Sequence, residues 1–114
     1  TPETRGLIDR HKLGKLKEGG DVIVISRGGI LDEAALIEGL RSGRIRGAGL
    51  DATAEEPIPE DSPLWDTENL LLTAHCSAVS DRLWRGRADG MKENLRRYLA
   101  GEPFLYVCDK EAGF

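Results

Sequence analysis

Three polar residues that could bind an anion or transfer a proton each follow a short aliphatic run of the sequence. They are Arg27, Asp51 and His75, and each lies just past its run. If the runs are neighbouring parallel strands, all three side chains leave the sheet at the same edge. A guanidinium, a carboxylate and an imidazole at one edge would form a mixed-charge cluster suited to a small anion.

Arg27 is followed directly by Gly28-Gly29, which would let the backbone approach a ligand closely. The planar guanidinium can donate two parallel hydrogen bonds to a carboxylate. The sequence therefore makes Arg27 a candidate for binding a carboxylate ligand. The alternative is a surface arginine beside an ordinary strand-to-helix turn.

His75 is a candidate general acid or base, and a carboxylate partner for it could come from the loop after the second aliphatic run. That loop carries the adjacent residues Glu55 and Glu56. One of them could reach the imidazole, fix its tautomer and favour its protonated form. The alternatives are a solvated acidic loop and a histidine that is simply hydrogen-bonded in place. The other histidine, His11, lies between Arg10 and Lys12 and is predicted to be on the surface.

The aliphatic runs predict three strands. The run Val22–Ile25 is continuous and predicts a strand buried on both faces, as in a parallel sheet. Ala48-Gly49-Leu50 and Leu70–Leu72 predict two more. The segment between them, residues 55–63, is rich in proline and acidic residues and predicts an irregular loop.

Three helices are predicted between and after these strands. Asp9 caps a short one that extends to Leu16, and Asp32 opens a second that stops at Gly43. Ser80 is the predicted N-cap of a long amphipathic helix that ends at Gly101. The apolar stripe of the long helix is expected to pack against another surface and comprises Trp84, Ala88, Met91, Leu95 and Leu99.

Alternating strands and helices predict an α/β fold with a parallel sheet, flanking helices and a long C-terminal helix. Three strands make only half of such a sheet. The predicted boundaries are residues 1–78 for the sheet with its flanking helices and 79–114 for the long helix and tail.

Composition narrows the possible partners and compartments. A net charge of −4 and a pI of about 5.2 give no basic footprint, so we expect no nucleic acid partner. No apolar run approaches the roughly 20 residues that span a bilayer, so we expect no membrane association. Cys76 and Cys108 form neither a CxxC nor a metal-ligand pattern, which predicts a reducing cytoplasm and no metal site.

Several motifs in order and at matching spacing make the chain resemble the D-isomer-specific 2-hydroxyacid dehydrogenases, a family that includes D-3-phosphoglycerate dehydrogenases and glyoxylate/hydroxypyruvate reductases. The resemblance covers nearly the whole chain. It implies that the sheet is the second half of a Rossmann-type sheet, that residues 1–78 are the C-terminal half of an NAD(P)-binding domain, and that residues 79–114 return to the substrate-binding domain. The motifs are Thr4-Arg5-Gly6-Leu7-Ile8, Ile25-Ser26-Arg27-Gly28-Gly29, Gly47-Ala48-Gly49-Leu50-Asp51, Glu56-Pro57 and Leu72-Thr73-Ala74-His75.

The resemblance implies a role for each candidate. Arg27 would bind the carboxylate and carbonyl of a small 2-hydroxy or 2-oxo acid, and His75 would be the general acid/base. Glu56 would orient and charge His75. Hydride transfer to or from NAD or NADP is the implied reaction. Asp51, His75 and the segment Ile25-Ser26-Arg27 would line the nicotinamide end of the cofactor.

Two departures from the family pattern limit what the resemblance implies. Ala74 stands where a proline usually precedes the histidine, so the loop that places His75 is expected to be looser. No G-x-G-x-x-G occurs, so the 114 residues alone are expected to bind cofactor poorly. Because the chain begins at Thr1 without a methionine, we expect a piece of a longer protein. Its open strand edge and apolar helix stripe predict association with a second copy, as a homodimer. The alternative is a non-catalytic module for dinucleotide sensing or dimerisation.

Overall fold

The structure is a computed structural model that describes residues 1–113. The chain divides into two compact units, one of residues 2–77 and a second that begins at Ala78. This division lies next to the predicted boundary at residues 78 and 79. The assignment of the second unit to a substrate domain stays a prediction.

The first unit contains a three-stranded sheet in the order β1-β2-β3, and both strand pairs are parallel. The strands are β1, Gly20–Val24; β2, Ile45–Leu50; and β3, Leu70–Leu72. β1 begins and ends slightly before the predicted run, and β2 begins three residues earlier than predicted. The register aligns Leu50 with Val24 on one side and with Leu72 on the other, so all three strands end at the same edge.

Two short helices in this unit begin at aspartates, as the sequence predicts. Helix α1 spans Arg10–Gly14, and Asp9 accepts a hydrogen bond from the Lys12 amide at 2.8 Å. Helix α2 spans Glu33–Arg41, and Asp32 accepts from the Ala35 amide at 2.9 Å. Between β1 and α2 lies a 3₁₀ turn, Gly28–Ile30. α1 ends at Gly14, earlier than predicted, whereas the turn after α2 contains the predicted Gly43 at a φ of 73°.

The core of the unit lies where α2 packs against the sheet. Leu36 on α2 and Leu50 on β2 are fully buried, with 0% and 1% of their surface exposed. Burying side chains of this size contributes roughly 1.5–3 kcal/mol each. The remaining buried members of the cluster are Leu13, Leu31, Ala35, Ile37, Leu40, Ile45, Ala48 and Leu64.

The prediction that β1 is buried on both faces is wrong for this chain. Val22 and Val24 pack against the core, whereas Ile23 is 70% exposed and Ile25 is 64% exposed. Successive side chains of a strand point to opposite faces, so a core on one face covers only every second residue. Leu71 on β3 is likewise 66% exposed.

Helix α3 of the second unit spans Leu83–Ala100 and ends at Gly101, which adopts a φ of 69°. The predicted cap at Ser80 is wrong, because the residue that flanks the helix is Arg82 and makes no side-chain capping bond. The Ser80 carbonyl instead accepts from the Leu83 amide within a turn. None of the residues of α3 is buried, so the apolar stripe is open to solvent. Among residues 1–113, no helix is both long enough and apolar enough to cross a bilayer.

Candidate active site

The polar residues predicted to share an edge do lie just beyond the carboxyl ends of the strands. Asp51 follows β2 directly, and Arg27 and His75 come three residues after β1 and β3. Ile25 and Ser26, the predicted cofactor contacts, are exposed and occupy the same edge between β1 and Arg27. The strand pairing therefore gathers residues that are far apart in the sequence.

Glu56 is the carboxylate that reaches His75. Its Oε2 lies 2.7 Å from Nδ1 of the imidazole, and its Oε1 accepts from the Thr53 amide at 3.0 Å. The hydrogen bond from His75, with that from Thr53, holds the pKa of Glu56 below its ordinary value. Because an ionised carboxylate can only accept, Nδ1 carries the proton and Nε2 faces away from Glu56. The residues alone left the choice between Glu55 and Glu56 open and the family resemblance implied Glu56, which is the one that contacts His75 in the structure.

Arg27 lies on the other side of the imidazole. Its Nη1 is 3.4 Å from Nε2 of His75 and donates to the Ser26 carbonyl at 2.8 Å. The guanidinium is exposed and its remaining N–H groups can serve a ligand. Glu56, His75 and Arg27 thus form a row of a carboxylate, an imidazole and a guanidinium.

Asp51 is held differently from the other three, because it is buried and turned toward the loop that carries His75. Its Oδ1 accepts from the Thr73 hydroxyl at 2.6 Å and from the Cys76 amide at 2.8 Å, and its Oδ2 accepts from the Ser77 amide at 2.8 Å. These hydrogen bonds, that of Thr73 first, hold the pKa of Asp51 far below its usual range. The predicted contact of Asp51 with a cofactor stays a prediction.

The partners of Asp51 and Glu56 were missed by the sequence analysis. Thr53, Thr73 and Ser77 have no spacing that marks them as site residues. One signal was available for Thr73, because alignment of Leu50 with Leu72 puts the next residues of β2 and β3 side by side.

A cavity of about 640 Å³ borders the Glu56–His75 pair, and Arg27 does not line it. Most of its wall is apolar, so water beside the pair is partly replaced by hydrocarbon surface. The lining side chains other than the pair belong to Asp51, Thr53, Pro57, Ile58, Trp65, Leu72, Thr73 and Ala74.

A parallel sheet with polar side chains gathered beyond the carboxyl ends of its strands is the arrangement of a Rossmann-type, dinucleotide-binding class of domain. Comparison with known proteins names the family. The profile for the "D-isomer specific 2-hydroxyacid dehydrogenase, NAD binding domain" matches residues 1–77. The chain belongs to this family, which confirms the family and the Rossmann-type fold predicted from the motifs.

Individual relatives agree with this assignment. The chain is 42% identical over 102 residues to a D-3-phosphoglycerate dehydrogenase of Mycobacterium leprae, which covers 90% of the chain and 19% of the relative. It is 41% identical to glyoxylate/hydroxypyruvate reductase B of Pectobacterium carotovorum, and that match covers 90% of the chain and 32% of the relative. The chain therefore spans between about a fifth and a third of these relatives.

A solved structure of a D-isomer specific 2-hydroxyacid dehydrogenase from Xanthobacter autotrophicus Py2, in complex with NADPH and MES, matches the whole chain. The TM-score is 0.87 at 45% identity, and the match covers 46% of that chain. Both units of the present chain therefore have counterparts in one dehydrogenase polypeptide.

Proposed function

We propose that the protein containing this chain is an NAD(P)-dependent D-2-hydroxyacid dehydrogenase that interconverts a small 2-oxo acid and its 2-hydroxy acid. The observation that supports this most directly is the row of Glu56, His75 and Arg27, with gaps of 2.7 and 3.4 Å between successive side chains. It combines a proton donor with a carboxylate-binding guanidinium beyond the end of a parallel sheet, where ligands of such folds bind.

The three side chains divide the work of the reduction. Arg27 binds the substrate carboxylate and polarises the carbonyl oxygen. His75 gives the proton on Nε2 to that oxygen, and takes it back when the hydroxy acid is oxidised. Glu56 holds Nδ1, which keeps Nε2 directed at the substrate and offsets the positive charge of the imidazolium.

The residues present fit the nicotinamide end of the cofactor. Exposed Ile25 and Ser26 give an apolar and a polar surface beside Arg27. Gly28 is packed so tightly that an added Cβ would lie 1.8 Å from the carbonyl carbon of Thr53, so only glycine fits directly after Arg27. When bound, the nicotinamide ring supplies or accepts the hydride. The G-x-G-x-x-G motif that holds the phosphates does not occur in the 114 residues, so that part of the site requires other sequence.

The test is oxidation of NADH and NADPH by a panel of 2-oxo acids, followed by the absorbance of the reduced nicotinamide. It uses the product of the native gene, whatever its length. His75→Ala should lower kcat by about 100-fold or more, as expected for loss of a general acid. His11→Ala is the matched control, because His11 is exposed on α1 and should leave kcat unchanged. Activity of His75→Ala equal to that of His11→Ala would show that His75 is not the general acid. Absence of activity in the wild type across the whole panel would favour the non-catalytic alternative of dinucleotide sensing.

A homodimer is proposed on the exposed apolar surface of α3. Met91 is 74% exposed, Leu95 60% and Leu99 77%. An apolar stripe of this size commonly marks a protein contact. Light scattering of the native gene product should give twice the monomer mass, and a monomer at micromolar concentration would contradict the proposal.

We further propose a reducing, cytoplasmic compartment. Cys76 and Cys108 are both free and exposed, as is common for proteins kept in reducing conditions. Both thiols should react with an alkylating reagent in freshly lysed native cells. Protection of either thiol that is reversed by a reductant would contradict this compartment.

A further inference from the structure

The loop that carries Glu56 is hydrogen-bonded to the first residue of helix α2. Glu33, the first residue of α2, accepts a hydrogen bond from the amide of Ala54 at 2.5 Å. Its side chain is partly buried. A residue that could simply extend into solvent from the helix terminus therefore binds a loop that lies 21 positions further along the chain.

The same loop is contacted by the segment that carries Arg27. An ideal Cβ on Gly28 would lie 1.8 Å from the carbonyl carbon of Thr53 and 2.3 Å from the nitrogen of Ala54. The peptide between Thr53 and Ala54 therefore lies against the Cα of Gly28. Two groups from outside the loop, the Gly28 backbone and the Glu33 carboxylate, fix the position of one peptide.

The contacts continue to the site through the preceding peptide, between Ala52 and Thr53, which shares the Cα of Thr53 with the peptide held by Gly28 and Glu33. The Thr53 amide donates to Oε1 of Glu56 at 3.0 Å, and Oε2 of Glu56 holds Nδ1 of His75 at 2.7 Å. Two consecutive amides thus donate to two different carboxylates, that of Thr53 to Glu56 and that of Ala54 to Glu33. Because the two peptides meet at Thr53, a shift of the one held by Glu33 would also move the Thr53 amide, and with it Glu56 relative to the imidazole.

We propose that Glu33 is a positioning residue for the Glu56–His75 pair, and that it acts by holding the Thr53–Ala54 peptide against Gly28. The effect on rate rests on the proposed function, whereas the effect on the geometry of the pair does not. Glu33 touches neither substrate nor cofactor in this role.

The surroundings of the Glu33 carboxylate indicate that it needs the hydrogen bond from the Ala54 amide. Partial burial removes water from the group and raises its pKa, the Ala54 amide opposes that rise, and the nearby carboxylate of Glu56 adds to it. A poorly hydrated carboxylate beside a second one is unfavourable unless it makes a compensating hydrogen bond. Glu56 itself contacts His75, which in turn lies beside Arg27.

A competing explanation is that Glu33 only stabilises α2, because a negative charge in the first turn is favourable to a helix. Two substitutions separate these roles. Glu33→Gln removes the charge and keeps an acceptor oxygen that can reach Ala54. Glu33→Asp keeps the charge and shortens the side chain by one methylene, so that it no longer reaches. Exposed Glu55 provides the control Glu55→Asp in the same loop.

The first measurement is proton NMR of the native gene product labelled with ¹⁵N in its histidine rings. An imidazole N–H held by a carboxylate resonates far downfield of backbone amides, and its loss in His75→Ala assigns the signal. The signal should be weakened or lost in Glu33→Asp and kept in Glu33→Gln and Glu55→Asp. A signal kept in Glu33→Asp, lost equally in Glu55→Asp, or absent from the wild type would overturn the proposal.

The second measurement is steady-state kinetics of the same variants. Glu33→Asp should lower kcat about tenfold or more with little change in the KM for cofactor, as expected for a small misplacement of the acid/base. Glu33→Gln should stay within about twofold of wild type. The reverse order would show a helix-charge role and overturn the proposal. If the protein has no dehydrogenase activity, the NMR result still decides the geometric role, so the two proposals fail separately.

Discussion

Nη1 of Arg27 lies 3.4 Å from Nε2 of His75, on the side of the imidazole opposite Glu56. A single oxygen placed between these two nitrogens could accept a hydrogen bond from each. The carbonyl oxygen of a 2-oxo acid fits this position, and its carboxylate would then lie within reach of the remaining guanidinium N–H groups.

Arg27→Lys should raise the KM for a 2-oxo acid and lower kcat as well. Lysine keeps the positive charge but cannot donate to the carboxylate and the carbonyl at once. We expect kcat/KM to fall by about 10- to 100-fold, which corresponds to roughly 1.4–2.7 kcal/mol of lost transition-state binding. Arg27→Ala should lower it further and weaken substrate binding more than His75→Ala does.

The control for this series is Arg46→Lys. Arg46 lies near the start of β2, where it pairs with Asp21 on the surface and lysine can replace it. Its kcat/KM should equal that of the wild type. If Arg27→Lys behaves like Arg46→Lys, Arg27 does not bind the substrate.

Glu56→Gln should reduce both kcat and thermal stability, and the loss of stability should depend on pH. The folded-state pKa of Glu56 is lowered, chiefly by the hydrogen bond from His75. A carboxylate whose pKa is lowered by folding stabilises the folded state at any pH above its pKa in the unfolded chain. That stability is lost as the pH falls through its pKa in the folded protein. The difference in melting temperature between wild type and Glu56→Gln should therefore be present at neutral pH and shrink below about pH 4.

Glu60→Gln is the matched control for this measurement, since Glu60 is exposed in the same loop. Its melting temperature should follow that of the wild type throughout. A Glu56→Gln difference that stays constant from neutral to acid pH would mean that the carboxylate charge does not stabilise the pair.

The main features of the fold were predictable because they depend on local patterns. Short aliphatic runs located β2 and β3, and the aspartates at positions 9 and 32 marked the starts of α1 and α2. The exposed faces of β1 and α3 were not predictable, since an apolar side chain shows that it favours burial but not which surface covers it. Ser80 failed as a cap because a turn precedes α3, and the first helical residue is Leu83.

The site was predictable to a similar depth. The ends of the aliphatic runs identified Arg27 and His75, because strand ends in a parallel sheet share one edge. The Glu56-Pro57 motif identified Glu56 through the family resemblance. The contact of Glu33 with Ala54 depends on how an irregular loop folds, which no periodicity describes, so only the structure gives it.

Asp51→Asn should loosen the loop that carries His75. The carboxylate accepts three hydrogen bonds, and an amide in its place would turn an NH₂ group toward a backbone amide donor. Hydrogen exchange at the amides of Cys76 and Ser77 should become faster by about tenfold or more. Asp21→Asn, on the exposed start of β1, should leave these amides unchanged. Unchanged exchange in Asp51→Asn would contradict this role.

Leu36→Ala should destabilise the first unit more than any comparable change on α3. Leu36 has no exposed surface and packs between α2 and the sheet. Truncating a buried leucine leaves a cavity and costs about 2–5 kcal/mol, which urea unfolding of the native gene product measures. The matched change Leu99→Ala removes the same atoms from a side chain that is 77% exposed in the single chain. At protein concentrations where the proposed homodimer is dissociated, it should cost no more than about 0.5 kcal/mol, and the loss should grow with protein concentration as a second copy covers the stripe. A loss of several kcal/mol that does not depend on protein concentration would contradict coverage of the stripe by a second copy.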